Sequence, residues 1–95
     1  MPWPFEHHSA TIFAMARISA IHDQDGDLVQ LGAAVRARRL RDTLSQEALA
    51  DAAGIDRSHM GKIERGERNV TFLNILRIAT ALRCKPSDLF IDAGL

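Results

Sequence analysis

The chain has 95 residues, 46 % of them hydrophobic and 25 % charged, with twelve cations, twelve acids and a single cysteine. That is room for one small domain with one modest core, and it excludes an internal disulfide and a cysteine-rich zinc site. An aromatic share of 5 % suits a helical bundle of Leu, Ile and Ala better than a β-sandwich, and a net charge of zero argues at first against a nucleic-acid partner.

Residues 1–27 differ from the rest and read as an N-terminal extension, with 28–95 as the folded domain. Met1 to His8 carries two prolines and no periodicity, and is read as irregular. Ser9 to Ile21 shows a weak helical pattern in Ile12, Met15 and Ala16, and His22-Asp-Gln-Asp-Gly-Asp27 reads as an acidic turn. The aspartate spacing is wrong for a calcium loop, because Gly26 precedes the third Asp and no bidentate Glu follows. The start lacks a secretory pattern and Ala10 to Ile21 is too short to span a bilayer, so a cytoplasmic protein with no membrane association is expected.

From Leu28 a first helix runs to about Arg41, with Leu31, Gly32 and Val35 on its core stripe. Arg39 lies four residues beyond Val35, on or beside that stripe, and a cation there needs a partner. In the second helix Ser45 is the N-cap, Ala48, Leu49 and Ala52 form the apolar side, and Gly54 supplies a left-handed stop. Only Gly54, Ile55 and Asp56 separate it from a third helix, capped by Asp56 and running from Arg57 to about Arg65 before Gly66.

Thr71 caps a fourth helix to about Leu82, whose expected core face is Phe72, Ile75, Leu76, Ala79 and Leu82. Arg83 stands where a C-terminal glycine is expected, so that turn should be strained. Pro86 opens a short last helix through Leu89 and Phe90, leaving Ile91 and Leu95 with little to cover them.

The third helix carries the chemistry. At about 100° per residue, Arg57, Ser58, Gly61, Lys62 and Arg65 share one face, while Met60 and Ile63 fall on the other. A short helix of this kind can enter the DNA major groove and present cations and hydrogen-bonding groups to base edges. The charge supports this once it is divided along the chain. Residues 1–28 hold four acids against Arg17, whereas residues 29–90 hold eleven cations against seven acids. No enzyme is expected: Asp56, Ser58 and His59 lie within one turn but point in different directions. His7, His8, His22 and His59 lack metal-site spacing, and Cys84 reads as a packed thiol, so no metal or cofactor is expected.

Leu31 to Phe90 resembles the lambda-repressor-like helix-turn-helix domains of the Cro/C1 or XRE type. The matching segments are Leu44-Ser-Gln-Glu-Ala-Leu-Ala, Ala53-Gly-Ile, Met60-Gly-Lys-Ile-Glu-Arg-Gly, Arg68-Asn69, Leu76-Arg-Ile-Ala-Thr-Ala-Leu and Ser87-Asp-Leu-Phe. The restriction–modification controller proteins look especially similar around Asp56-Arg57-Ser58 and Arg68-Asn69. The resemblance implies an all-α, five-helix domain that binds double-stranded DNA as a homodimer on a pseudo-palindromic operator and regulates transcription. By position it implies that Arg57, Ser58 and Lys62 read bases, and that Gln46, His59, Arg65, Arg68 and Asn69 hold phosphates. It also implies that Arg39 and Glu64 tie the first helix to the third. Gly61 stands where the family often has Ser, and Val70 replaces a frequent Pro.

The fourth and fifth helices, with Ile91 and Leu95, are the candidate dimer seam, and no small-molecule ligand is expected. A second reading keeps the fold but makes the chain an antitoxin-type interaction module. In it residues 1–27, through Ile12, Phe13, Met15, Ile18 and Ile21, clasp a protein partner.

Overall fold

Helix boundaries follow the capping chemistry of the sequence. The computed structural model describes residues 23–95, and these form five helices and no strand. They are α1 (Asp27–Arg41), α2 (Gln46–Ala53), α3 (Arg57–Glu64), α4 (Phe72–Ala81) and α5 (Pro86–Ala93). The helical pattern read over Ser9 to Ile21, and most of the segment assigned to a protein partner, lie outside the described residues.

Each helix begins with an oxygen that accepts from its orphan N–H groups. The Asp23 carboxylate accepts from the N–H of Asp27 (2.9 Å) and Leu28 (2.8 Å), so the acidic turn serves to cap α1. Ser45 Oγ accepts from the Ala48 N–H at 3.0 Å, and Thr71 Oγ1 from the Asn74 N–H at 3.2 Å. At α5 the Asp88 carboxylate accepts from the Lys85 N–H at 2.9 Å, with Pro86 in the first helical position.

The helices also end alike. After each one, the N–H groups of a left-handed residue and of the residue following it fold back onto carbonyls of the last turn. Gly54 supplies that residue after α2, with φ +68°. After α1 and α4 the residue is not glycine: Thr43 has φ +57° and Arg83 has φ +56°. The strain expected at Arg83 is present, and Thr43 adds a second instance that the sequence did not announce.

In the packing, α1 lies against α3 and α5, α2 against α3 and α4, and α4 against α5. Val35, Leu49, Met60, Ile63, Ile78 and Leu89 are the largest fully buried side chains, each stabilising by roughly 1.5–3 kcal/mol relative to exposure. Gly32 sets how closely α1 approaches α3. A Cβ there would fall 2.3 Å from the Ile63 carbonyl oxygen and 2.5 Å from that of Glu64. Arg38 pairs with Asp92 and ties α1 to α5, with Arg41 at 4.0 Å from the same carboxylate.

Two expected faces are corrected. The buried side of α2 is Leu49, Ala50 and Ala53 rather than Ala48, Leu49 and Ala52, because α2 docks on both α3 and α4. In α4 the buried residues are Ile78 and Ala79, with Ile75 and Leu76 partly covered, while Phe72 is 66 % exposed. The apolar arc of α4 is wider than the single domain covers. Cys84 is half-buried against the core, and burial pushes its thiol pKa up. Among the described residues no helix is long and apolar enough to cross a membrane, and no group of three or more His, Cys, Asp or Glu side chains is placed to hold a metal.

Candidate nucleic-acid interface

The orientation of α3 is set from beneath by a polar knot. Arg39 donates from Nε to Glu64 Oε2 (2.7 Å) and from Nη2 to Glu64 Oε1 (3.0 Å). Its Nη1 donates to the Leu44 carbonyl at 3.0 Å. Gln46 Nε2 donates to Glu64 Oε1 at 3.1 Å. Arg39 and Glu64 are only 8 % and 6 % exposed, yet no buried side-chain nitrogen or oxygen among the described residues lacks a partner. Charges taken this far out of water persist only when every donor and acceptor is used. The knot joins the end of α1, the loop before α2, the first residue of α2 and the last of α3.

The turn between α2 and α3 is equally constrained. The Ile55 N–H donates to the Ala50 carbonyl at 2.9 Å while its side chain is buried. Asp56 then caps α3, accepting from the Ser58 N–H (3.1 Å) and the His59 N–H (3.4 Å). The Ser58 hydroxyl also donates to the Asp56 carboxylate, and this bond, followed by the one from His59, holds the Asp56 pKa below its ordinary value. Met60 and Ile63 dock the other side of the helix in the core.

On the outer side of α3 lies an open groove lined by Gln46, Asp56, Arg57, Ser58, Gly61, Lys62 and Arg65. It brings together five of the residues singled out by the sequence: Gln46, Arg57, Ser58, Lys62 and Arg65. His59 is half-buried and does not line it, and Arg68 and Asn69 are exposed in the loop after α3, apart from the groove.

Two acids at the site were missed by reasoning from sequence. Asp56 was read as a cap alone, although its carboxylate also lines the groove. Glu67 receives the Arg65 fork, Nε to Oε1 at 3.0 Å and Nη2 to Oε2 at 3.1 Å, in a pair more than half exposed. The hydrogen bonds raise the Arg65 pKa and lower that of Glu67. A helix spacing rule does not reveal this pair, because Gly66 between the two residues turns the chain out of α3. Chemically, the groove offers guanidinium, ammonium and hydroxyl groups on α3 and the Gln46 amide at the N-terminus of α2 beside it, with the Asp56 carboxylate also in its lining.

A helix-turn-helix family model matches residues 35–89. The chain is similar to the control protein C.SmaI of Serratia marcescens, 41 % identical over 61 residues that make up 64 % of this chain and 73 % of that protein. Among solved structures it resembles the restriction-modification controller protein C.AhdI from Aeromonas hydrophila. The TM-score is 0.68 and the identity 51 %, over 68 % of this chain and 98 % of that one. The restriction-modification controller protein C.Esp1396I, as a tetramer in complex with its natural 35-base-pair operator, matches with a TM-score of 0.66 and 27 % identity, over 70 % of this chain and 88 % of that one.

Proposed function

The chain belongs to the Cro/C1-type helix-turn-helix family, and we propose that it is a transcriptional regulator of the restriction–modification controller kind that binds operator DNA through α3. The observation that carries this reading is the groove itself. Arg57, Ser58, Lys62 and Arg65 converge with Gln46 on the solvent side of a helix whose other side is locked into the core.

In this mechanism α3 enters the major groove. Arg57, at the first turn, presents a planar fork matched to the O6 and N7 acceptors of guanine. Ser58 and Lys62 reach neighbouring base edges, and the N-terminus of α2 at Gln46 meets a phosphate, where orphan N–H groups and the helix dipole favour an anion. Arg68, Asn69 and His59 hold the backbone on either side. The Arg39–Glu64 knot keeps the two helices at one fixed angle, so that base and phosphate contacts form together.

The protein acts as a homodimer. Phe72 and Leu73 on α4, Ile91 on α5 and Leu95 are more than half exposed, an apolar set that a second copy would cover. Two copies of α3 then sit in successive major grooves about 34 Å apart. That C.Esp1396I, a protein of the same fold, binds its operator as a tetramer supports binding by more than one copy of the chain. Selection of bound sequences from a random DNA pool tests the proposal. The expected product is a pseudo-palindrome with half-sites about one helical turn apart. A pool that stays random after repeated selection would contradict it.

A further inference from the structure

Gly61 lies in the middle of the DNA-facing side of α3, yet it is buried. Two side chains lie close over it. A Cβ at Gly61 would lie 3.1 Å from Arg65 Nη1 and 3.2 Å from Gln46 Oε1, closer than ordinary van der Waals contact. Any other residue there would push these two side-chain ends aside by a few tenths of an ångström.

Each group is tethered by hydrogen bonds. Gln46 donates from Nε2 to Glu64, which already accepts twice from Arg39 and offers only oxygens. The amide therefore turns its NH2 inward and its carbonyl oxygen outward, over Gly61. Arg65 gives Nε and Nη2 to Glu67, which leaves Nη1 as the arm extended over Gly61. A guanidinium restrained at one edge loses less side-chain freedom when its remaining arm binds.

We infer that Arg65 is a preorganised base-reading cation of the groove, not a clamp on the phosphate backbone, and that Gly61 is the specificity-determining gap that lets it reach there. Glu67 is a positioning residue that acts through Arg65. The inference rests on the DNA-reading role of α3. A restrained Nη1 facing the groove suits a keto or ring-nitrogen acceptor, O6 or N7 of guanine or O4 of thymine.

The test uses the full chain and the DNA selected from a random pool, with every single-base-pair variant of one half-site, read by fluorescence anisotropy alongside thermal melting. Gly61→Ala should melt at or above the wild-type temperature, since Ala is the better helix former, and should lose roughly tenfold in operator affinity. Arg65→Ala should lose discrimination at one base pair, and the double variant should bind no worse than Arg65→Ala alone. Glu67→Gln, which leaves α3 itself unchanged, should weaken discrimination at that same base pair, and it decides the matter should Gly61→Ala melt low. Wild-type affinity in Gly61→Ala, an equal loss from Gly61→Ala in both backgrounds, full discrimination in Glu67→Gln, or a uniform loss across all base pairs in Arg65→Ala would each overturn the inference. Those results leave the proposed function standing. A wild-type protein with no sequence preference at all would overturn both.

Discussion

Arg39 and Glu64, twenty-five residues apart in sequence, meet as a buried two-pronged pair whose spare arm, Nη1, holds the Leu44 carbonyl. The pair fixes α1 and the start of α2 to the end of α3. Because both charges are out of water, removing one leaves the other without compensation. Arg39→Met or Glu64→Leu alone should each cost on the order of 3–5 kcal/mol in urea denaturation. The double variant should recover most of that loss, since an apolar pair of similar volume has no charge to desolvate. Singles that unfold with wild-type midpoints would show that the pair contributes little.

The left-handed residues after α1 and α4 store strain that glycine would relieve. Thr43 is β-branched and has φ +57°, and Arg83 has φ +56°. Thr43→Gly and Arg83→Gly should each raise stability by about 1 kcal/mol, the left-handed penalty less the added freedom of the unfolded chain. Thermal melting checks this, and the larger gain is expected at Thr43. A lower melting temperature in both variants would contradict the strain.

Much of the fold was legible because its signals are local. Ser45, Asp56 and Thr71 are small oxygen-bearing residues ahead of periodic apolar runs, and each caps the helix expected of it. The grouping of Arg57, Ser58, Gly61, Lys62 and Arg65 follows from helical geometry and recurs in the groove. What was not legible depends on neighbours distant in sequence. Phe72, Leu73, Ile75, Leu76, Ile78 and Ala79 make α4 apolar over so wide an arc that periodicity does not say which side its own core takes. Phe72 was accordingly placed inside and Ile78 overlooked. The same holds for Gly61, whose neighbours Gln46 and Arg65 come from a different helix and from beyond the end of α3.

Acid should unfold the protein through its hydrogen-bonded surface carboxylates. Asp56 bonded by Ser58, Glu67 by Arg65 and Asp92 by Arg38 all have pKa values below the ordinary range. A lowered folded pKa contributes stability that is fully present above the unfolded value, about 4, and is lost as pH falls through the folded one. Melting temperature should therefore be flat from neutral pH to about 5 and decline below about 4. The Asp56→Asn, Glu67→Gln, Asp92→Asn triple variant should show a shallower decline. An acid limb of unchanged steepness would remove these three groups as its cause.

The apolar set on α4 and α5 predicts a specific effect on assembly. Ile91 is 71 % exposed and Phe72 66 %, so a charge at either is harmless to a lone domain and costly in a closed seam. Wild type should sediment at twice the chain mass in the micromolar range. Ile91→Glu and Phe72→Glu should sediment at the single-chain mass with unchanged helical circular dichroism. Variants that remain dimeric would place the seam elsewhere.

Whether α3 reads base edges is tested most directly by titrating wild type, Arg57→Ala and Arg68→Ala against the selected operator and its single-base-pair variants at several salt concentrations. Arg57→Ala should relax preference at one base pair per half-site, a loss of about 1–3 kcal/mol confined to that position. Arg68→Ala should weaken all sequences alike and make the dependence of affinity on salt shallower. Unchanged discrimination at every base pair in Arg57→Ala would contradict the reading of α3 as the recognition helix.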